Sequence, residues 1–208
     1  MPPANDYEYD VFISYRRAGN AQRWVEEHFA PTLHDCLATE MVSTPRVYFD
    51  KQLETGTTWP PDLGARLGNS RILLSLWSRN YLSSIWCTME LAHMLAREQQ
   101  LGFRSVTNPA GLVVIGVIND GEDIPHDLTA IQKFEISAYF NTRMRKDSGD
   151  AADLEAALRT QAFQLKKIID GAPAFQPAWA TAAAAQFFQT FKQTAPPSQD
   201  VAPSFTRL

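Results

Sequence analysis

Apolar runs and helical patterns alternate along the first 170 residues of the chain. The run "YDVFISY", Tyr9 to Tyr15, is nearly continuous and bounded by charge, as expected of a strand covered on both faces of a sheet. Further runs predict strands at residues 46–50, 71–78, 111–120 and, more weakly, 131–137. Helical spacing predicts helices at residues 21–40, 60–69, 81–100 and 153–170. This alternation predicts a doubly wound sheet of about five parallel strands with helices on both faces.

Two of these helices carry distinctive residues. Pro31 interrupts the first pattern, and we expect a kink or a break there because proline has no N–H to donate. The pattern at residues 81–100 is that of an amphipathic helix. Its apolar stripe consists of Leu82, Ile85, Met89 and Ala92.

The last part of the chain, residues 171–208, differs in composition from the rest. It is rich in Ala, Gln, Pro and Phe, so we expect the folded domain to span residues 7–170. Four residues recur at a spacing of four, which predicts a short amphipathic helix followed by a linker or tail. They are Trp179, Ala183, Phe187 and Phe191. This helix could dock on its own domain or serve as a linker or partner segment, and the sequence leaves both open.

Charge and composition exclude several kinds of partner. The net charge is −4 and no dense Lys/Arg block is present, so neither nucleic acid nor a membrane surface is an expected partner. No apolar run approaches the roughly 20 residues that span a bilayer, and the start lacks a signal peptide pattern. The two cysteines, Cys36 and Cys87, form no CxxC motif and suit reduced thiols. We therefore expect a cytoplasmic protein.

Polar and aromatic residues follow the predicted strands, where an open parallel sheet binds its ligands. Those that we select as substrate-binding candidates are Ser14, Tyr15, Arg16 and Arg17 after the first strand, Asp50 and Trp59 after the second, and Ser78 and Tyr81 after the third. Gly-rich phosphate loops are absent from the sequence, so an anion would have to be held by the arginines. The four histidines are scattered, and no metal site is predicted.

Trp86 and Glu90 are the remaining candidates, in the stretch "SSIWCTMEL". Residues four apart lie on one face of a helix, so the indole can form one wall beside the carboxylate. The same spacing also fits a core tryptophan and a solvent-exposed glutamate with Arg97 nearby, because glutamates are mostly exposed. The spacing alone does not decide between a reactive site and a surface pair.

Three motifs, which follow one another along the chain, favour the reactive site over the surface pair. "YDVFISYRR", "RVYFDKQLETGTTWPPDL" and "SRNYLSSIWCTMEL" together resemble a Toll/interleukin receptor (TIR) domain of the NAD-cleaving, bacterial type, over about 130 residues. The resemblance implies a flavodoxin-like sheet, with Glu90 as the catalytic residue, Trp86 as its partner, and Tyr15, Arg16 and Arg17 lining the NAD pocket. It also implies that the loop after the second strand gates the site and takes part in self-assembly. The loop residues selected for this role are Leu53, Glu54, Gly56 and Trp59.

The same resemblance implies a function. The chain is expected to be an NAD glycohydrolase that releases nicotinamide and linear or cyclised ADP-ribose, with NAD as substrate and no cofactor. It would deplete NAD in intracellular or antiphage defence and be activated by TIR–TIR self-association, with a sensor protein or fused sensor domain as a further partner. A non-catalytic TIR adaptor is the alternative, and transfer of the ADP-ribosyl group to another acceptor would use the same residues.

Overall fold

The structure is a computed structural model, which describes residues 6–50, 61–118, 128 and 131–177. Its centre is a five-stranded parallel sheet with the strand order β2-β1-β3-β4-β5. The strands are β1 (Tyr9–Tyr15), β2 (Val47–Phe49), β3 (Ser70–Trp77), β4 (Val113–Val117) and β5 (Lys133–Glu135). This is the flavodoxin-like order, so the predicted fold class is confirmed.

Helices cover both faces of the sheet. They are α1 (Ala21–Trp24), α2 (Ala30–Glu40), α3 (Pro61–Gly68), α4 (Ile85–Gln100) and α5 (Gly149–Asp170). Successive side chains of a strand point to opposite faces, so β1 contributes to two cores. Val11 and Ile13 belong to a cluster with residues of α2 and α5, whereas Phe12 belongs to a cluster with residues of α3 and α4.

The first helical pattern contains an irregularity next to Pro31. A π-helical turn, Val25–Phe29, separates α1 from α2, and Pro31 lies in the first turn of α2. Because proline has no N–H, the bond to the carbonyl four residues earlier is missing, and the regular ladder is interrupted at this point. The expected break at Pro31 therefore takes the form of a π-helical turn just before it.

The predicted helix at residues 81–100 is wrong in its first turn. Tyr81–Ser83 forms a 3₁₀ turn, and α4 begins only at Ile85. Ser84 has an extended backbone and caps α4, since its side chain accepts a hydrogen bond from the Cys87 N–H. The predicted apolar stripe is also wrong at Ile85, which is 49% exposed. The restart of the helix at Ser84 turns Cys87, Glu90 and Leu91 inward instead.

Arg97 does not accompany Glu90. Its guanidinium is buried at the opposite end of the sheet, where it donates to the carbonyl of Ser70 (2.8 Å) at the start of β3 and to the Tyr7 hydroxyl. The Tyr7 hydroxyl donates in turn to the carbonyl of Pro173 (2.8 Å), which holds the segment after α5 against this end. The alternative of an exposed Glu90 near Arg97 is therefore contradicted.

Some sequence predictions remain predictions. The expected amphipathic helix at residues 179–191 lies outside the described residues, and so do Leu53, Glu54, Gly56 and Trp59. α5 ends at Asp170, where the domain boundary was expected, but the boundary itself stays a prediction. Within the part of the chain that the structure describes, no helix is long and apolar enough to cross a membrane.

Candidate active site

A cleft of about 300 Å³ opens at the carboxyl ends of β1 and β2 and at the start of α4. The chain runs from β1 outward to β2 and then crosses back to β3, so the cleft lies at the topological switch point of the sheet. Its described lining consists of Phe12, Ile13, Ser14, Tyr15, Arg16, Arg17, Asp50, Ser83, Ser84, Ile85, Trp86, Cys87 and Glu90. Seven of the ten substrate-binding and catalytic residues predicted from the sequence are thus brought together.

Glu90 is a buried acid in this cleft. It is the sixth residue of α4, and its side chain is only 5% exposed, which is unusual for a glutamate. Burial raises the pKa of Glu90 to about 8, and the negative charge of Asp50 acts in the same direction. A hydrogen bond from Ser14 and the positive charge of Arg17 lower the pKa, but less than burial raises it. The ligand-free site therefore holds Glu90 mainly as the neutral acid at pH 7.

Ser14 and Tyr81 form a buried pair beside Glu90. The Ser14 Oγ lies 2.7 Å from the Tyr81 hydroxyl oxygen, and both side chains are buried. The ring of Tyr81 stacks on Trp77 with 5.2 Å between ring centroids. Tyr81 was expected to bind substrate directly, but it is fully buried and is not among the described residues that line the cleft. Tyr81 instead hydrogen-bonds Ser14 from the core side, because the 3₁₀ turn directs its ring into the core.

Arg17 and Tyr15 connect the end of β1 to the end of β2. The Arg17 Nη2 lies 3.1 Å from the Asp50 Oδ1, and the Tyr15 hydroxyl donates to the Asp50 carbonyl at 3.2 Å. Burial raises the pKa of Tyr15 to about 12, so its hydroxyl keeps its proton. These contacts hold Asp50, the last described residue before the gap at 51–60, at the edge of the cleft.

Arg16 connects the end of β1 to the turn before α4. Its Nη1 donates to the carbonyl of Asn80 (3.1 Å) and to the hydroxyl of Ser83. Both arginines of the predicted anion site thus already contact protein oxygens. An anionic group that enters the cleft would share or replace these contacts.

Trp86 is half-buried and lines the cleft together with Glu90, as the spacing of four residues predicts. Ser78 was expected in the site, but it is not among the described lining residues. Its carbonyl accepts the Tyr81 N–H (2.9 Å), so it belongs to the turn that leads to α4. Trp59 lies outside the described residues.

The sequence analysis missed six lining residues. They are Phe12, Ile13, Ser83, Ser84, Ile85 and Cys87. The two serines directly before the Ile-Trp pair were a usable signal, since serine favours the position before a helix. Among the described residues, no group of three or more His, Cys, Asp and Glu side chains is placed to hold a metal ion.

The raised pKa of Glu90 makes a prediction about stability. In the unfolded chain the carboxyl ionises near its ordinary pKa of 4.5, but in the folded protein it ionises only near pH 8. The folded state therefore binds more protons between these values, and the free energy of unfolding falls as the pH rises through this window. Glu90→Gln removes the effect. We expect the variant to gain a few kcal/mol over the parent between pH 4.5 and pH 8, measured by denaturant unfolding.

Glu155→Gln, on the exposed face of α5, controls for the loss of one negative charge. A stability difference between Glu90→Gln and the parent that does not change with pH would contradict the burial of an ionisable carboxyl.

Comparison with known proteins finds relatives among plant resistance proteins. The chain is 33% identical over 89 residues to TMV resistance protein N of Nicotiana glutinosa. The aligned segment covers 43% of this chain and 7% of that protein. It is 32% identical over 94 residues to disease resistance protein RPV1 of Vitis rotundifolia, covering 45% and 6%. The chain thus spans less than a tenth of the length of these relatives.

A solved structure of the TIR domains of the activated Roq1 resistosome, which recognises the effector XopQ, matches 89% of this chain and 98% of its own. The sequence identity is 20% and the TM-score 0.37. A family model described as "TIR domain" matches residues 11–158, which include every described residue that lines the cleft. With this match over most of its length, the chain belongs to the TIR domain family.

Proposed function

We propose that this TIR domain cleaves the bond between nicotinamide and ribose in NAD, releasing nicotinamide and ADP-ribose. The observation that carries the proposal is a buried carboxyl, Glu90, in a cleft at the switch point of the sheet, with the Trp86 indole beside it. A buried acid with a strongly raised pKa in a cleft is typical of a reactive site. A non-catalytic adaptor would have no need to bury such a group.

One carboxylate is enough for this reaction. The nicotinamide of NAD is a cationic pyridinium that leaves as a neutral molecule, so its departure requires no general acid. As the bond breaks, positive charge develops on the ribose, as in glycoside hydrolysis. The Glu90 carboxylate would stabilise this charge, which appears only in the transition state and therefore raises the rate.

Substrate binding would also supply the ionised form of Glu90. In the ligand-free site burial favours the neutral acid, but a pyridinium placed beside the carboxyl favours the carboxylate. NAD would thus bring in the positive charge that removes the proton. The resulting ion pair would include a carboxyl that is only 5% exposed, and electrostatic stabilisation is strong where water is excluded.

The remaining lining residues would bind the parts of NAD that do not react. Trp86 would offer a flat apolar wall beside the nicotinamide ribose, with Tyr15 on the β1 side. Arg16 and Arg17 would bind the diphosphate, Arg17 in exchange for part of its contact with Asp50. Transfer of the ADP-ribosyl group to water, to its own adenine or to another acceptor would use the same contacts.

Two plant relatives are named as resistance proteins, and we infer a related role for this chain. It would deplete NAD in the cytoplasm as part of a defence response. A sensor protein or fused sensor domain would then start the response.

The proposed reaction predicts a dependence on the charge of Glu90. Glu90→Gln keeps the size of the side chain but removes the carboxylate, and we expect nicotinamide release to fall at least about 100-fold. Purified protein is incubated with NAD and nicotinamide is quantified by chromatography, with circular dichroism as the check on folding. Glu155→Gln should retain the activity of the parent. A folded Glu90→Gln protein with undiminished release would disprove the role of Glu90, and a parent without release even when clustered would favour the adaptor.

A separate prediction is that assembly activates the domain. Arg17 and Tyr15 hold Asp50 at the edge of the cleft, and residues 51–60 follow Asp50 in the sequence, so contacts of this segment with a second copy would act close to the site. Nicotinamide release per molecule should rise with protein concentration or forced clustering, and Leu53→Asp or Trp59→Ala should abolish the rise. Release strictly proportional to concentration in parent and variants alike would exclude activation by assembly.

A further inference from the structure

We propose that Tyr81 is a positioning residue for Glu90 and acts through Ser14: the Tyr81 hydroxyl donates to the Ser14 Oγ, and the Ser14 hydroxyl donates to the Glu90 carboxylate. The proposal rests on the proposed function for the role of Glu90, but the hydrogen-bond chain can be measured without any reaction. It assigns a task to Tyr81, which is fully buried and is not among the described residues that line the cleft.

The contacts give this chain one consistent direction. The 2.7 Å between the Ser14 and Tyr81 oxygens is a normal hydrogen bond between hydroxyls, in which either group can donate. Ser14 and Glu90 line the same cleft, and Ser14 lowers the pKa of the Glu90 carboxyl as a hydrogen-bonding group does. An ionised carboxylate only accepts, and each hydroxyl has one proton. In the proposed chain Ser14 therefore donates its proton to the ionised Glu90, and the proton between Ser14 and Tyr81 comes from Tyr81.

A neutral Glu90 allows the opposite direction. The protonated carboxyl can donate to Ser14, Ser14 to Tyr81, and Tyr81 to the carbonyl of Cys87, which lies 3.5 Å from the Tyr81 oxygen. This last contact is at the long limit of a hydrogen bond, so it competes only weakly with donation from Tyr81 to Ser14. The two hydroxyls thus reverse together when Glu90 loses its proton.

The surroundings keep the Tyr81 hydroxyl in place. The ring is fully buried and stacks on Trp77 with 5.2 Å between ring centroids. Burial raises the pKa of Tyr81 well above its usual range, so this hydroxyl keeps its proton and remains a donor at neutral pH. Hydrogen bonds in such a chain polarise and strengthen one another.

Other charged and titratable groups also face Glu90. Arg17 after β1, Tyr48 from β2 and Asp50 just after β2 all influence Glu90 or are influenced by it. Cys87 and Tyr81 face it from α4 and from the turn before α4. Ser14 lowers the pKa of Cys87 as well, but the Tyr81 hydroxyl lies 2.7 Å from the Ser14 Oγ and can be altered by removing a single oxygen.

The test is a titration of the Glu90 carboxyl by NMR in protein labelled with carbon-13 at the glutamate side-chain carboxyl, with the signal assigned from Glu90→Gln. Tyr81→Phe removes the hydroxyl and keeps the stacked ring. We expect its Glu90 midpoint to rise by about half to one pH unit, the size expected for one hydrogen bond. Ser14→Ala should raise the midpoint at least as far, because it removes the direct donor.

Tyr7→Phe is the matched control. It also removes a buried, hydrogen-bonded tyrosine hydroxyl, but at the opposite end of the sheet, so it should lower stability and leave the midpoint unchanged. An unchanged midpoint in Tyr81→Phe, or an equal rise in Tyr7→Phe, would overturn the proposal. Should Tyr81→Phe fail to fold, the parent supplies the answer. In the parent, the chemical shift of the Tyr81 ring carbon that carries the hydroxyl should change with pH in one step at the Glu90 midpoint. The step should be missing in Glu90→Gln. A parent signal that shows no step at this pH would overturn the proposal.

Activity distinguishes this inference from the proposed function. In Tyr81→Phe the pH profile of nicotinamide release should move to higher pH by the same amount as the NMR midpoint. If the midpoint rises in Tyr81→Phe but the parent protein releases no nicotinamide even when clustered, the hydrogen-bond chain is supported and the NAD-cleaving function is refuted.

Discussion

Burial of one carboxyl, that of Glu90, is the constraint on which the rest of the site depends. A glutamate with 5% of its surface exposed is unfavourable as an ion unless its surroundings compensate for the lost water. Ser14 and Arg17 compensate in part, and the pKa of about 8 shows that the compensation is incomplete. A cation placed beside Glu90 would favour its ionised form. In the proposed reaction, the nicotinamide ring and the charge that develops on the ribose would supply that positive charge.

The fold provides this burial through two local features. The end of β1 brings Ser14, Tyr15, Arg16 and Arg17 to the switch point of the sheet, where neighbouring connections diverge and leave space. The extended backbone of Ser84 ends the 3₁₀ turn and starts α4 anew, which turns Glu90 toward that space and Ile85 toward solvent. Arg16 bonds to the same turn and holds the two sides of the cleft together.

Much of the fold was predictable from the sequence because its strands are short apolar runs between helices of ordinary length. β1 was predicted with its observed ends, and the other four strands were found within a few residues. The start of α4 was not predictable from periodicity, because residues 81–83 fit a helical pattern and only the cap at Ser84 separates them. Likewise, a W-x-x-x-E spacing places Trp86 and Glu90 on one face but cannot show that this face is buried. The burial comes from tertiary packing, as does the position of Tyr81 beneath the cleft.

The most direct test of this account is the pH dependence of kcat/KM for nicotinamide release by the assembled protein. That ratio reports the ionisation of the free protein, in which Glu90 must lose its proton before the reaction. The account predicts that kcat/KM rises about tenfold per pH unit below the midpoint and levels off near pH 8. A profile that is already flat from about pH 5.5 upward would show that the essential carboxyl has its ordinary pKa, and would contradict a catalytic site built on a buried, neutral Glu90.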